Sequence, residues 1–266
     1  MDLGVRGKVY AIVGGTAGMG FEAARVLAEE GAKIALIGRS QERGEASALT
    51  LGASTGAEVR MFEGDTRDAA SIGAAIDGIA TTFGQLNGLA VTAGPTASQA
   101  AFADLTDKDW DEYFESQLMS VVRSCRVALP HLIKAGGGTV VNVAAYSIRS
   151  QKASLSAYTA MKTAVASVTK NIAVNYGKHG IRANTVCPGF IFTPSVQKTA
   201  ERAAEKYGLP PFEALSRCMI EEWHMPVALG RVGRPQEIGE LIAILLSSRA
   251  SYVSGALINA DGGTQF

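Results

Sequence analysis

Two residues four positions apart, Tyr158 and Lys162, carry side chains that together could move a proton. On a helix, residues at this spacing lie on one face, one turn apart. A free tyrosine has a pKa of about 10, and a nearby ammonium group favours its phenolate form. The pair is therefore suited to giving a proton to a carbonyl oxygen, or taking one from an alcohol, near neutral pH.

The stretch before this pair bears on how a substrate oxygen would be held, and it reads Ala144-Ala145-Tyr146-Ser147. Alternate residues of an extended chain face the same side. We therefore expect Ser147 to project in the direction of Ala145, and Tyr146 to face away. A bend after the strand would bring Ser147 within reach of a carbonyl near Tyr158 and make it a catalytic donor. Otherwise Ser147 is a loop residue that caps or turns the backbone.

Glycines directly follow the first apolar run of the chain and precede a helical pattern. Glycine permits a tight turn and a close approach of the backbone to a phosphate, and a helix N-terminus offers free N–H groups. This order of strand, glycine-rich turn and helix predicts a dinucleotide site. Its residues are Gly14, Thr16, Ala17, Gly18, Met19 and Gly20.

The end of the second apolar run bears on which nucleotide binds. It reads Gly38-Arg39-Ser40, without the carboxylate that would bind the ribose hydroxyls of NAD. Arg39 and Ser40 suit a 2′-phosphate, which favours NADP(H) over NAD(H), unless Arg39 is an ordinary solvated side chain. Asp65, followed by Thr66, is placed to accept from an adenine amino group, or else caps the next helix.

Seven short apolar runs alternate with longer amphipathic stretches, of which 107–134 is one. The runs cover residues 8–13, 33–38, 58–63, 86–92, 138–144, 181–186 and 256–260. Such strands, joined by helices, predict an α/β fold: a doubly wound, Rossmann-like parallel sheet covered on both faces. We expect a single domain over residues 1–266, with a small helical lid at about 194–230, where prolines interrupt a helical pattern.

Composition excludes several classes of function. Lys and Arg total 25, as do Asp and Glu, and no run of like charge suggests nucleic acid or an anionic membrane as a partner. The three cysteines form no paired motif, and the three histidines are scattered, so we expect reduced thiols and no metal site. The N-terminus resembles neither a signal peptide nor a membrane span, which predicts a soluble, cytoplasmic protein.

Taken together, these motifs resemble those of the short-chain dehydrogenase/reductase family over essentially the whole chain. The shared residues are Gly14, Gly18, Gly20, Asp65, Ala93-Gly94, Tyr158, Lys162, Asn184, Pro188-Gly189, Thr193 and Asp261-Gly262-Gly263. The resemblance implies hydride transfer between a nicotinamide and a ketone or secondary alcohol. Tyr158 would be the general acid–base, and Lys162 would also contact the nicotinamide ribose.

The resemblance also implies further contacts of the cofactor and the assembly of the protein. The implied cofactor residues after the fourth and sixth strands are Ala93, Gly94, Pro188, Gly189, Ile191 and Thr193. Family members commonly form homotetramers, in which the helices at about 107–134 and 155–178 pair across a two-fold axis. We therefore expect a homotetramer.

Two departures from the family pattern touch the chemistry. Ala145 stands thirteen residues before Tyr158, where the family has a serine, and Gln117 stands where it has a catalytic asparagine. Gln117 keeps the donor and acceptor set of an amide, and we expect it to serve. Loss of one oxyanion donor costs about 10² to 10³ in turnover elsewhere, which an enzyme can survive.

Three functions remain open at the level of sequence. The first is an NADP(H)-dependent oxidoreductase with a weakened donor. The second is a nucleotide-binding sensor or scaffold without turnover, and the third is an enzyme of C=C reduction or lyase-like chemistry. Apolar residues in and near the lid suggest an apolar or aromatic substrate: Phe190, Phe192, Leu209, Phe212, Met219 and Trp223.

Overall fold

A seven-stranded sheet forms the centre of the computed structural model, which describes residues 2–94 and 100–264. All its strand pairs are parallel, and the spatial order is β3-β2-β1-β4-β5-β6-β7. The strands are β1 (Val9–Val13), β2 (Lys33–Gly38), β3 (Val59–Glu63), β4 (Gly88–Val91), β5 (Gly138–Val143), β6 (Ile181–Pro188) and β7 (Leu257–Ala260). The predicted doubly wound fold is confirmed.

Helices cover both faces of the sheet, which explains why the central strands are apolar throughout. On one face lie α1 (Gly18–Glu29), α2 (Gln41–Thr55) and the last long helix, Pro235–Leu246. On the other lie α3 (Ala69–Phe83), Ser120–Lys134 and Ser156–Tyr176. All five residues of β1 are buried, as expected for a strand between two apolar layers.

The order of the strands reverses beside β1, which lies between β2 and β4. In open parallel sheets, ligands bind in the crevice outside the carboxyl ends of the strands at such a point. Gly14, Thr92 and Gly94, which directly follow these strands, therefore lie at the expected binding edge.

The stretch from 107 to 134 is continuous but not one regular α-helix. It consists of α4 (Asp107–Tyr113), a π-helical segment (Phe114–Met119) and α5 (Ser120–Lys134). A reciprocal capping box between Thr106 and Asp109 starts it. Insertions of π geometry re-aim side chains and are frequent at functional sites, and this one carries Gln117.

The segment predicted as a lid contains two helices that follow β6: α7 (Gln197–Tyr207) and α8 (Pro211–Glu221). Gly208 ends α7 in the left-handed conformation, and Pro211 begins α8. These helices pack into two small apolar clusters of their own, apart from the two layers on the sheet. The chain then returns through residues 222–234 to α9 (Pro235–Leu246).

Candidate active site

A cavity of about 410 Å³ opens at the carboxyl ends of β4, β5 and β6, beneath the lid. Tyr158 and Lys162 both line it, from the first turns of α6 (Ser156–Tyr176). Lys162 is the one charged side chain among the described residues that line this cavity. The remaining wall is largely apolar, with Phe190 and Trp223 on the lid side.

Lys162 is buried without a carboxylate partner among the described residues; its side chain reaches across to the end of β5. Its ammonium nitrogen donates to the carbonyl of Val143 at 3.1 Å and lies 5.6 Å from the centroid of the Tyr158 ring. Burial lowers the pKa of Lys162 from 10.5 to about 8. Lys162 is therefore positively charged at neutral pH and loses its proton above about pH 8.

The phenol of Tyr158 shows a pKa shift opposite to the lowering that its neighbour Lys162 led us to expect. Burial raises the pKa of Tyr158, and the nearby phenols of Tyr146 and Tyr113 raise it further. Tyr113 packs edge-on against Tyr158, with ring centroids 6.3 Å apart. The pKa of Tyr158 is thus raised, and not lowered as expected. Lys162 directs its ammonium group to Val143, and removal of the phenol from water disfavours the phenolate.

The turn after β5 overturns the expected directions of Tyr146 and Ser147. Ala145 is still extended, but Tyr146–Ile148 form a 3₁₀ turn, so that alternate residues no longer share a face. Ser147 is fully buried, and its Oγ accepts from Thr159 Oγ1 at 2.9 Å. The cavity is lined by Ala145 and Tyr146, not by Ser147.

Gln117 lies in the cavity wall beside Gly94, and Gly94 also lines a second cavity. Gln117 is 1% exposed, and a Cβ on Gly94 would come within 2.8 Å of its Oε1. Only glycine therefore lets the amide approach the end of β4 so closely. The π-helical geometry of residues 114–119 turns both Ser116 and Gln117 inward.

The second cavity, of about 300 Å³, lies between the glycine-rich turn and the ends of β2 and β3. Besides Tyr158 and Lys162, thirteen of the sequence-predicted cofactor residues line one of the two cavities. Gly14, Thr16, Arg39, Ser40, Asp65, Thr66, Ala93 and Gly94 line the second, and Met19 and Gly94 line the first, as do Pro188, Gly189, Ile191 and Thr193.

The geometry around α1 fits a bound pyrophosphate. Its first turn has no side-chain cap, because its N-cap residue is Ala17, so its N–H groups are available to an anion. Gly14 has a φ of +80°, and a Cβ there would lie 2.8 Å from the backbone nitrogen of Ala93. Ala17 and Gly18 belong to this turn without lining either cavity, whereas buried Gly20 lets the helix pack on Thr92.

Among the residues of the second cavity that sequence reasoning missed, Arg43 and Ser116 carry polar side chains that could contact a cofactor. Arg43 lines the second cavity four residues after Arg39, a signal available once α2 is known to begin at Gln41. Ser116 also lines it, and its buried Oγ has no hydrogen-bond partner among the described residues. No sequence signal marks Ser116, because its direction depends on the π-helical segment.

The side chains of Ser40 and Asp65 serve the backbone as well as the cavity. Ser40 Oγ accepts from Arg43 N at 3.4 Å and thereby caps α2. Asp65 Oδ1 accepts from Arg67 N at 2.9 Å, while Asp68 caps α3. The alternative role considered for Asp65, that of a helix cap, belongs to Asp68.

The described residues contain no helix long and apolar enough to cross a membrane. Cys125, Cys187 and Cys218 are all free and buried. Within residues 2–94 and 100–264, no three metal-binding side chains come together.

Comparison with known proteins connects this site to a reaction. Residues 14–265 match the family model described as enoyl-(acyl carrier protein) reductase. The chain is 34% identical over 256 residues to cis-4-hydroxycyclohexanecarboxylate dehydrogenase of Sinomonas cyclohexanicum, covering 96% of each protein. It is 34% identical over 257 residues to levodione reductase of Leifsonia aquatica, covering 96% of this chain and 93% of that protein.

A solved structure agrees over the same range. L-sorbose reductase of Gluconobacter frateurii, complexed with NADPH and L-sorbose, has a TM-score of 0.91 at 29% identity. The match covers 99% of this chain and 98% of that one.

Proposed function

The chain belongs to the short-chain dehydrogenase/reductase family and is a hydride-transferring oxidoreductase with a nicotinamide cofactor, and we propose that it uses NADP(H) to interconvert a ketone and a secondary alcohol. Tyr158 is the general acid–base in this proposal, and Lys162 assists it. One observation supports this proposal most directly: Tyr158 and Lys162 line the same cavity, and Gly94 lines both that cavity and the nucleotide cavity.

Bound NADPH would supply the hydride to the carbonyl carbon. The uncapped start of α1 and the turn at Gly14 would hold its pyrophosphate. Its nicotinamide would then lie in the first cavity, between Met19 and the stretch from Pro188 to Thr193. Gly94 lines both cavities, with Gln117 in the wall of the first and Ser116, whose hydroxyl is unpartnered among the described residues, in the wall of the second.

Preference for NADP(H) is supported by positive charge at the end of β2. Arg39 and Arg43 line the nucleotide cavity, and neither makes an ion pair among the described residues. A 2′-phosphate would give them the partner that they lack, through charge-assisted hydrogen bonds. Arg67 in the same cavity pairs with Glu112 at 3.3 Å and is less available.

Proton transfer follows from the electrostatics of the cavity. Because burial raises the pKa of Tyr158, its phenol is protonated at neutral pH and is ready to act as the acid in ketone reduction. The positive charge of Lys162, one turn away, stabilises the phenolate that remains. Tyr158 then recovers its proton from solvent, and the product leaves as an alcohol.

The substrate is proposed to have an apolar or cyclic body. The wall contributed by Phe190, Trp223 and Met225 is apolar, and the two rings meet edge-on at 5.1 Å. Phe192 and Phe212 pack against each other within the lid and not in the cavity. A relative named for a hydroxycyclohexanecarboxylate is consistent with a cyclic body.

The same proposal includes a homotetramer and a cytoplasmic location. Free cysteines support a reducing compartment. The face of α6 that includes exposed Ala160 and Val174 supports helix pairing between copies.

The direct test is turnover on a panel of cyclic ketones with NADPH, followed by loss of absorbance at the nicotinamide band. The proposal is supported if NADPH is consumed only when a ketone is present and is not consumed by Tyr158→Phe. If no ketone or alcohol is turned over while NADPH binds normally, the alternative of a nucleotide-binding protein without turnover takes its place.

A further inference from the structure

The phenol of Tyr146 lies in the wall of the catalytic cavity and has no role in the mechanism proposed above. The residue is 8% exposed. Among the described residues, its hydroxyl has one hydrogen-bond acceptor, the sulfur of Met225 at 3.8 Å. A thioether is a weak acceptor, whereas a buried tyrosine hydroxyl usually finds a stronger one.

This phenol lies in the same cavity wall as the position at which the site lacks a hydroxyl. Tyr146 directly follows Ala145, whose methyl group stands where a serine hydroxyl would donate to the substrate oxygen. Tyr146 and Tyr158 line the same cavity. Among side chains, Tyr146 contributes most to raising the pKa of Tyr158, which reflects the proximity of the two phenols.

Ser147 does not compete for this role. Its Oγ accepts from Thr159, is fully buried and does not line the cavity. Because of the 3₁₀ turn over Tyr146–Ile148, the directions of the Tyr146 and Ser147 side chains are the reverse of those expected for an extended chain. The aromatic residue faces the substrate, and the serine supports the helix behind it.

On the basis of the function proposed above, we infer that the Tyr146 hydroxyl donates a hydrogen bond to the carbonyl oxygen of the substrate, in place of a serine at position 145. During reduction, hydride adds to the carbonyl carbon, and the oxygen takes its proton from Tyr158. Tyr146 keeps its own proton and stabilises the negative charge while it develops. Exchange of the Met225 sulfur for a developing oxyanion strengthens the hydrogen bond, because charged acceptors bind more tightly.

Burial raises the pKa of Tyr146 to about 12. The phenol is therefore a donor at every pH at which the enzyme is assayed. Loss of this donor should lower kcat by the same factor across the pH range. This readout separates Tyr146 from a residue that acts by titration.

The test compares Tyr146→Phe with the unmodified enzyme, with Tyr113→Phe as the matched control. Tyr113 also packs near Tyr158 but does not line the cavity. We expect Tyr146→Phe to lower kcat by about 10²-fold, as for loss of an oxyanion donor, with unchanged NADPH affinity. Tyr113→Phe should lower kcat much less. Equal effects of the two substitutions, or full activity in Tyr146→Phe, would overturn the inference.

A rescue experiment makes the assignment specific. Ala145→Ser places a hydroxyl at the usual family position and should restore much of the kcat lost in Tyr146→Phe. In the unmodified enzyme the same substitution should add little, since a donor is already present. A gain of about tenfold or more there would mean that the native site lacks a donor, and it decides the question even if Tyr146→Phe does not fold.

Failure of this inference is distinguishable from failure of the proposed function. If Tyr158→Phe is inactive while Tyr146→Phe keeps full activity, ketone reduction stands and the role of Tyr146 falls. If Ser147→Ala costs more kcat than Tyr146→Phe, the donor is Ser147. If the unmodified chain turns over no carbonyl compound, the proposed function itself is wrong.

Discussion

The ammonium nitrogen of Lys162 lies 5.6 Å from the ring centroid of Tyr158, yet it donates to the carbonyl of Val143 and not to the phenol. In the proposed mechanism, the lysine therefore acts on the tyrosine through its charge across one helical turn. Both groups have been removed from water, which raises the pKa of the phenol and lowers that of the ammonium group.

Removal of the Tyr158 hydroxyl should separate chemistry from binding. Tyr158→Phe keeps the ring that packs against Tyr113 but removes the acid. We expect turnover to be abolished and NADPH affinity to be almost unchanged, measured by nicotinamide fluorescence. Full activity of this variant on the true substrate would show that the acid–base mechanism does not operate here.

Lys162→Met should make the protein more stable and inactive. A buried ammonium group without a carboxylate partner costs free energy of folding, which an apolar side chain of similar length avoids. For a chain of this size, each 1 kcal/mol gained raises Tm by about 2–4 °C. A lower Tm in the variant would contradict the prediction.

The same substitution changes how stability depends on pH. Because the pKa of Lys162 is lowered from 10.5 to about 8, the unfolded chain binds more protons than the folded chain between these values. The cost of burying the charge is therefore present in full below about pH 8 and is relieved as the pH rises towards 10.5. This rise in stability should be absent in Lys162→Met, as thermal unfolding at several pH values would show.

Ketone reduction should lose efficiency at alkaline pH. Tyr158 stays protonated because its pKa is raised, whereas Lys162 loses its charge above about pH 8. We expect kcat/KM to be constant at neutral pH and to fall above about pH 8, since this parameter reports groups of the free enzyme. A profile that stays flat to about pH 10, the range of an ordinary lysine, would refute the role of Lys162.

Cofactor selectivity should depend on two arginines. Arg39→Ala and Arg43→Ala should each weaken NADPH binding by about 10- to 100-fold, because a charged hydrogen bond contributes about 1.5–3 kcal/mol. NADH binding should be nearly unchanged. Arg60→Ala is the control, because Arg60, on β3, pairs with Glu58 and lies outside the nucleotide cavity. Equal affinities of the unmodified protein for NADPH and NADH at moderate salt would contradict the preference.

Assembly provides a test that does not depend on substrate. Light scattering at micromolar concentration should give the mass of a tetramer. Ala160→Arg should reduce that mass, because Ala160 is exposed on α6 and an arginine would prevent close helix pairing. Lys198→Arg, on the exposed surface of the lid, is the control. A monomer in the unmodified protein would exclude the proposed assembly.

The sheet was predictable because its strands are buried on both faces and are therefore apolar throughout. All seven strands appear where the runs predicted them, with ends that differ by at most two residues. β6 continues to Pro188, two residues beyond its predicted end. Strand ends depend on the loops that follow, which apolar runs do not reveal.

The active site was less predictable where backbone geometry departs from regular strands and helices. The rule of alternating faces failed at Tyr146 because a 3₁₀ turn begins there. Ser116 lines the nucleotide cavity from a π-helical segment, which the sequence pattern of a regular helix did not predict. The pKa of Tyr158 was expected with the wrong sign because spacing reveals a nearby charge but not the extent of burial.

The separate packing of the lid has a consequence for local unfolding. The apolar residues in and beside α7 and α8 form small clusters, one of which contains Val196, Ala200, Leu215 and Met219. The sheet, in contrast, packs between two much larger apolar layers. Segments with few apolar contacts to the rest of a protein open at a lower free energy than its centre. Backbone amides of α7 and α8 should therefore exchange with deuterium together, earlier than those of β1 and β5, and substrate should slow that exchange while the sheet stays unaffected.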